Sequence, residues 1–446
     1  MDVVIVILNT LAQVVMIFSL VYFLAMMGAG IHENRKLGSK LGDQSRTRYE
    51  DPFIDNPETF DVYVMIPCLN EEAVIGPTVA ALRNGARVTT IVIDDASDDS
   101  TSEIARREGG ENTIVLRREL PDARTGKGEA LNDAYRLVRR LVAEREQDTS
   151  RVIILVMDAD GRLSDGALSH VLPLFEEPKV GGVQLPVRIR NRSKNFLTRF
   201  QDFQFWSMSA VTQVGRRKIG TVSLGGNGQF TRMAALEGLN AMPWSSSLTE
   251  DLDLAVSLSN DGWELTTTPF ASVDQQAVES LRRLIVQRRR WYQGHMMAGK
   301  RLPEIWTNPK LSVAKVLELT GYLIVPWIFD LPWSILSHWV LFLSLTTVAS
   351  SVTVVVGPLT VTVAVLTWYL LTFAPALFTS WVYLRRDPEC SPWRALLIGH
   401  SFVVMNYLSY ICAWGALIRI IQRKNGWDKT KRTVEAPVSG LVDTQV

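Results

Sequence analysis

Three short apolar runs set the pattern of the first half of the chain: "DVYVMIP" at 61–67, "VTTIVID" at 88–94 and "RVIILVMD" at 151–158. Each is rich in β-branched residues and is followed by a turn. Stretches of helical period then follow, such as "SEIARREGG" and "EALNDAYRLVRRLVAE". Continuously apolar strands alternating with helices predict an α/β unit with a parallel sheet covered on both faces. In such sheets ligands bind beyond the carboxyl ends of the strands. The polar residues at those ends are Asn70–Glu71–Glu72, Asp94–Asp95 and Asp158–Ala159–Asp160.

A second pattern belongs to a membrane. Val3 to Ala29 is apolar over a length that spans a bilayer. Its basic flank, "HENRKLGSKLGDQSRTR", follows rather than precedes it. That order predicts a retained anchor with its C-terminal side in the cytoplasm. Residues 331–384 hold almost no charge, and 394–418 form another apolar run. The stretch 313–335 is interrupted by Glu318, Pro326, Asp330 and Pro332. Three or four C-terminal spans are predicted: the basic tail favours four, and Arg385–Arg386 argues the other way. The predicted organisation is an N-terminal transmembrane helix (1–29), a cytoplasmic linker (30–59), an α/β domain with interfacial helices (60–300), a C-terminal membrane region (301–420) and a cytoplasmic tail (421–446). Two helices are expected inside the α/β domain. The aromatic-rich 196–217 fits either core packing or the membrane interface, and 277–299 is strongly basic.

Composition narrows the chemistry. A net charge of +1 on 446 residues gives no electrostatic footprint for nucleic acid. Three scattered cysteines form neither a disulfide framework nor a zinc spacing. The five histidines are equally dispersed, which argues against a transition-metal site.

Asp158 and Asp160 flank one small residue directly after a strand, where a carboxylate pair can hold Mg²⁺ or Mn²⁺ with phosphate oxygens completing the shell. The same pair also fits a turn cap. Asp95 can accept hydrogen bonds from a base or ribose, or cap the helix after it. Lys127 sits between glycines before a helix, placed to meet a diphosphate or simply to be solvated. Thr249, Glu250 and Asp251 open another helix. Acids there stabilise a first turn, and Asp251 also fits a general base, with Glu250 fixing the local structure. On a helix, Gln287 and Arg290 share one side with Trp291 adjacent. Arginine forks match phosphate, and an indole offers a flat face to a sugar. A basic helix touching anionic lipid is the bland alternative.

In order, "VMIPCLNEE", "IDDAS", "GKGEALN", "DAD", "GGNGQFTRMAAL", "TED" and "QRRRW" resemble the motifs of membrane-integrated family 2 glycosyltransferases. These include the cellulose, chitin, hyaluronan and poly-N-acetylglucosamine synthases and the nodulation chitooligosaccharide synthase. The resemblance runs from about Asp61 to Gly299. It implies a GT-A fold and inverting, metal-dependent, processive transfer from a UDP-sugar, with UDP-N-acetylglucosamine and UDP-glucose the leading donors. The acceptor would be a growing β-linked polysaccharide exported across the plasma membrane, in contact with membrane lipid. By the same resemblance Asp95, Asn70 and Glu71 would contact the nucleotide, and Lys127 the diphosphate. Asp158 and Asp160 would hold the metal, Asp160 most directly. Asp251 would be the base with Glu250 beside it. Gln287, Arg288 and Arg290 would bind the UDP, and Trp291 would lie under the acceptor sugar. The alternative within the same donor site is a non-processive enzyme that adds a single sugar to a lipid acceptor.

Overall fold

The computed structural model describes residues 2–44, 60–83, 85, 87–339, 342 and 358–424. The main sheet grows from the apolar runs. β1 (Asp61–Cys68), β2 (Val88–Asp94), β3 (Thr113–Arg117) and β4 (Val152–Val156) pair in parallel, in the order β3-β2-β1-β4. Both faces are covered, which is why the runs are continuously apolar. Val62, Val64 and Ile66 face one core with Val92, Ile153 and Leu155. Tyr63, Met65, Ile91, Ile93, Ile154 and Val156 face the other. Successive strand residues point to opposite faces, so both sets of positions are largely apolar, with Thr90 of β2 a buried exception. Helices α2 (Ile75–Leu82) and α3 (Thr101–Gly109) cover the first face through Val79 and Ala105. Helix α4 (Lys127–Glu144) covers the second through Leu131, Ala134, Tyr135 and Val138.

The remaining strands change the expected topology. Short β5 (Arg162–Leu163) precedes β6 (Val180–Gln184) and β7 (Val187–Ile189), with β8 (Gln229–Arg232), β9 (Glu264–Thr267) and β10 (Val273–Gln275) following. β8 lies antiparallel between β4 and β6, while β9 is parallel to β6. The seven-stranded sheet is therefore mixed, not wholly parallel. A second sheet, β5-β10-β7, stands beside it. The antiparallel strand was not legible because β8, "QFTR", is short and mostly polar.

Helix α1 (Asp2–Gln44) runs past the expected anchor. Residues 30–44, expected as linker, continue the helix because "HENRKLGSKLGDQ" holds good helix formers and no proline; 45–59 lie outside the described residues. After α5 (Ala167–Val171), the aromatic stretch forms α6 (Phe196–Phe203), a π-helical turn at Gln204–Ser209, and α7 (Ala210–Arg217). Helix α8 (Met233–Glu237) precedes α9 (Glu250–Asp261), and α10 (Leu281–Ala298) carries the basic cluster. Short α11 (Leu302–Thr307) leads to α12 (Val313–Trp339), and α13 (Pro358–Arg386) and α14 (Pro392–Ile421) complete the described chain.

Among the described residues, two helices are long and apolar enough to cross a membrane, α12 and α14. The expected C-terminal count was three or four. Part of the apolar run 339–384 and the tail after 424 lie outside the described residues. Helix α7 binds α1 through Val211 and Met27, with Val382 of α13 joining them. It binds α12 through the buried ion pair Arg216–Glu318 at 2.7 Å. Asp387, after α13, takes Arg199 of α6 at 2.7 Å and Arg188 of β7 at 2.9 Å. These contacts fix the α/β unit against the apolar helices.

Candidate active site

The carboxyl ends of β1, β2, β4 and β6 open into one cavity of about 380 Å³. Its walls combine strand-end residues with side chains from α9, α10, the π-helical turn and α12. Glu71, Asp95, Lys127, Asp158, Glu250, Asp251, Gln287, Arg290 and Trp291 all line it. Residues separated by more than 200 positions in sequence are thus brought to one space.

Lys127 lines the cavity and binds several of its other groups. Gly126 has φ +134°, and a Cβ on Gly128 would lie 2.1 Å from the Ser245 carbonyl oxygen. The glycines let the start of α4 pass close to the Ser245 backbone. Lys127 Nζ donates to Asp158 Oδ1 at 2.8 Å and to the Gly226 carbonyl at 2.9 Å, with Glu250 Oε1 at 3.7 Å. Burial alone would depress the ammonium, but Asp158, Glu250 and Asp251 outweigh it and hold its pKa above the ordinary lysine value.

The acids of α9 are also shifted upward. Burial pushes Glu250 up to about 7; Lys127 opposes the shift and Asp251 reinforces it. Burial also raises Asp251, against the pull of Lys127 and a hydrogen bond from the Leu252 N–H to its Oδ1 at 2.8 Å. A carboxylate with a raised pKa is a better proton acceptor than an ordinary surface aspartate. Thr249, at the helix cap position, makes no side-chain capping bond.

The paired aspartates after β2 divide their work. Asp94 is fully buried; its Oδ1 accepts the Ser97 N–H at 2.8 Å, and its Oδ2 meets Ser102 and Arg117. Burial would raise its pKa, but those hydrogen bonds and Arg117 hold it below the usual carboxylate value. Asp95 faces the cavity, held by Arg118 and by the Arg124 N–H at 2.9 Å. Asn70, with φ 53°, shapes the loop beside it: its N–H meets Ser97 Oγ at 2.9 Å, and its Oδ1 takes the Asp98 N–H at 2.8 Å. Asn70 does not line the cavity, whereas neighbouring Glu71 does.

Asp158 and Asp160 also separate. Asp158 lines the cavity. Asp160 is fully buried behind the wall, its Oδ2 accepting the Gln276 N–H at 2.8 Å. Asn227 braces this turn: its Oδ1 accepts the Asp158 N–H at 3.1 Å, and its Nδ2 donates to Gln275 at 2.9 Å. The donor set suits a hard divalent cation, because Asp158 presents carboxylate oxygen to the cavity. No group of three His, Cys, Asp or Glu side chains that could cage a metal occurs among the described residues. A cation held by Asp158 would draw its remaining oxygens from water or a bound ligand.

On α10, Gln287, Arg290 and Trp291 reach the cavity as their helical spacing predicts. Arg288 does not. Its guanidinium lies 4.7 Å from the Trp291 ring centroid and 5.1 Å from that of Phe205, and donates to Gln204 Oε1 at 3.1 Å. It supports the indole from behind. Phe205 packs edge-on to Trp291 with centroids 6.2 Å apart. Phe205, His295 and Tyr322 also line the cavity, and sequence reading missed all three. His295 was discoverable, since it follows Trp291 by one helical turn.

Residues 57–294 match the family model described as "Glycosyltransferase like family 2". A β-monoglucosyldiacylglycerol synthase of Trichormus variabilis is 32% identical over 243 residues, covering 52% of this chain and 48% of that protein. A poly-β-1,6-N-acetyl-D-glucosamine synthase of Staphylococcus aureus is 27% identical over 248 residues, covering 54% and 56%. The chain spans about half the length of the curated relatives it matches. Among solved structures, a mannosyltransferase from Pyrobaculum calidifontis in complex with GDP-Man and Mn²⁺ aligns at 16% identity with TM-score 0.49, over 92% of this chain and 99% of that one.

Proposed function

The chain belongs to glycosyltransferase-like family 2, and from that premise we propose that it transfers one sugar from a nucleotide-sugar donor to the hydroxyl of a membrane lipid. One observation carries the acceptor reading. Tyr322, on the apolar helix α12, lines the same cavity as Asp251 and Lys127. An acceptor can therefore enter from the lipid side while the donor occupies the strand ends. The identity to a protein named β-monoglucosyldiacylglycerol synthase supports a glucosyl group and a diacylglycerol acceptor, and the motif resemblance supports a UDP-linked donor.

In the proposed reaction Asp251 takes the proton from the lipid hydroxyl. The oxygen attacks the donor's anomeric carbon from the face opposite the diphosphate. The bond from that carbon to the diphosphate oxygen breaks, and its electron pair leaves with UDP. An α-linked donor gives a β-linked product. Asp95 and Glu71 would contact the nucleotide. Lys127, Gln287 and Arg290 would face the diphosphate, where preorganised cations stabilise developing negative charge. A divalent ion such as Mg²⁺ or Mn²⁺, held by Asp158 with Asp160 behind it, would add positive charge against the diphosphate. Desolvation of Asp251 in the cavity wall raises its proton affinity.

A second reading, extension of a polysaccharide, is favoured by Trp291, which stands at the cavity wall where a chain end could stack on it. The two readings separate on one experiment. The full-length protein is placed in phosphatidylcholine vesicles containing dioleoylglycerol, with UDP-[¹⁴C]glucose and Mg²⁺ or Mn²⁺. Label extracted into organic solvent supports the lipid reading; label confined to an aqueous or insoluble polymer contradicts it.

A further inference from the structure

The turn between α13 and α14 holds more positive charge than its neighbours neutralise. Its acids are already paired. Asp387 takes Arg199 at 2.7 Å and Arg188 at 2.9 Å. Asp202 of α6 accepts the Tyr383 hydroxyl at 2.6 Å and faces Arg188 at 3.6 Å, and Glu389 takes Arg192 at 2.7 Å. Arg385 and Arg386 end α13, and Arg394 lies in the first turn of α14. None of these three has a carboxylate within ion-pair distance among the described residues.

Arg386 is the most constrained of the three. Its guanidinium lies 4.3 Å from the Trp206 ring centroid, and that of Arg188 lies 4.8 Å from the same ring. The Trp206 indole N–H donates to the Arg386 carbonyl at 3.2 Å, which holds ring and arginine together. The Nε of Arg386 is buried and makes no hydrogen bond. An indole face attracts a cation, but two like charges at one ring repel each other. Asp387 offsets Arg188 and leaves Arg386 uncompensated. A partly buried guanidinium without a counter-ion is costly.

The surroundings say which anion fits. Helix α14 is long and apolar enough to cross a membrane, and the turn stands at its N-terminal end. Trp393, 76% exposed, and Trp381, 44% exposed, flank the arginines, with Arg385 over the Trp381 ring at 5.6 Å. Exposed indoles beside arginines at the ends of apolar helices suit the headgroup layer of a bilayer. Asp387 ties the turn to β7 and α6, so the layer is that of the leaflet facing the α/β unit. Phosphate in that layer is carried by lipid, and guanidinium forks match its oxygens. A zwitterionic headgroup brings its own ammonium to the phosphate, whereas an anionic one leaves that charge for the protein.

We infer that Arg386, with Arg385 and Arg394, forms a binding site for the phosphate of an anionic lipid. The site lies outside the catalytic cavity and does not depend on which acceptor receives the sugar.

The test uses the full-length protein in dodecyl maltoside, with native mass spectrometry measuring how much dioleoylphosphatidylglycerol or dioleoylphosphatidylcholine it retains. Wild type is expected to retain phosphatidylglycerol in preference. Arg386→Gln removes the charge and the fork and should weaken phosphatidylglycerol binding about tenfold or more, the value of a charge-assisted hydrogen bond. Arg386→Lys, which restores charge without the fork, should recover part of the loss. Arg394→Gln, at an exposed position that leaves the fold undisturbed, should weaken binding about fivefold, the share of one surface arginine. Arg139→Gln, an exposed arginine of α4, should leave it unaltered. Equal retention of the two lipids overturns the inference, as does unaltered affinity in both Arg386→Gln and Arg394→Gln. A matching loss in Arg139→Gln overturns it too, since the attraction would then be one of general charge. Displacement of the lipid by excess inorganic phosphate would make the site one for a soluble anion and overturn the lipid assignment. No readout here involves sugar transfer, so failure of this inference leaves the lipid-transfer reading standing, and the reverse holds as well.

Discussion

Replacing Lys127 by methionine removes the one positive charge that touches Asp158, Glu250 and the Gly226 carbonyl at once. The methionine keeps most of the volume, so the loss is electrostatic. Two charges about 4 Å apart interact by roughly 4 kcal/mol at an effective dielectric of about 20. Stranding one partner of a buried pair costs about 3–5 kcal/mol. Asp158 keeps 29% of its side-chain surface and is partly screened, so we expect the low end, about 3 kcal/mol at pH 8. For a unit of this size that corresponds to a Tm loss of roughly 6–12 °C.

The loss must depend on pH. Glu250 has a folded pKa raised from 4.5 to about 7, so the unfolded chain gives up this proton first as pH rises. Its contribution to stability is therefore full below the unfolded value and is lost as pH climbs through the folded one. Lys127 is the main force holding that folded value down. Without it the window moves upward, and at low pH the protonated carboxyls no longer need a cation. Melting by intrinsic fluorescence in detergent at pH 5.5 and 8 reads this directly. A deficit at pH 8 that shrinks at pH 5.5 is expected; an equal deficit at both, or none at pH 8, refutes the electrostatic reasoning.

Other consequences are more local. Asp251→Asn retains shape but cannot accept a proton, so kcat should fall about 10²–10⁴-fold while UDP affinity by calorimetry holds; wild-type kcat would remove the base assignment. Gly128→Ala places a Cβ 2.1 Å from the Ser245 carbonyl oxygen and should shift the start of α4, weakening UDP binding about tenfold or more; unaltered UDP affinity would show that the loop yields. Arg216→Ala strands the buried Glu318 and should destabilise by about 3–5 kcal/mol, read as a lowered melting temperature; an unshifted melt would make the pair dispensable to the α7–α12 contact.

Local pattern revealed β1, β2 and β4 and the helices after them, because continuous apolar runs and helical periods are written within a few residues. It did not reveal β8, whose antiparallel place between β4 and β6 depends on partners far along the chain. The site shows the same division. Helical spacing put Gln287, Arg290 and Trp291 together, and strand ends put Asp95 and Asp158 in the cavity. Which aspartate of a pair faces inward was not legible. Asp160 turns to the Gln276 backbone and Asp94 to Ser97 and Ser102, and those partners are chosen by tertiary packing. Arg288 looked equivalent to Arg290 in sequence, yet packing against Phe205 and Trp291 takes it out of the cavity.

The central claim is that one sugar reaches a lipid. It is tested most directly by mass spectrometry of the product formed in dioleoylglycerol vesicles with UDP-glucose in large excess. The account expects a single species heavier than dioleoylglycerol by one hexose, formed in step with UDP release. A ladder of hexose additions, or UDP released with no glycolipid formed, would contradict it.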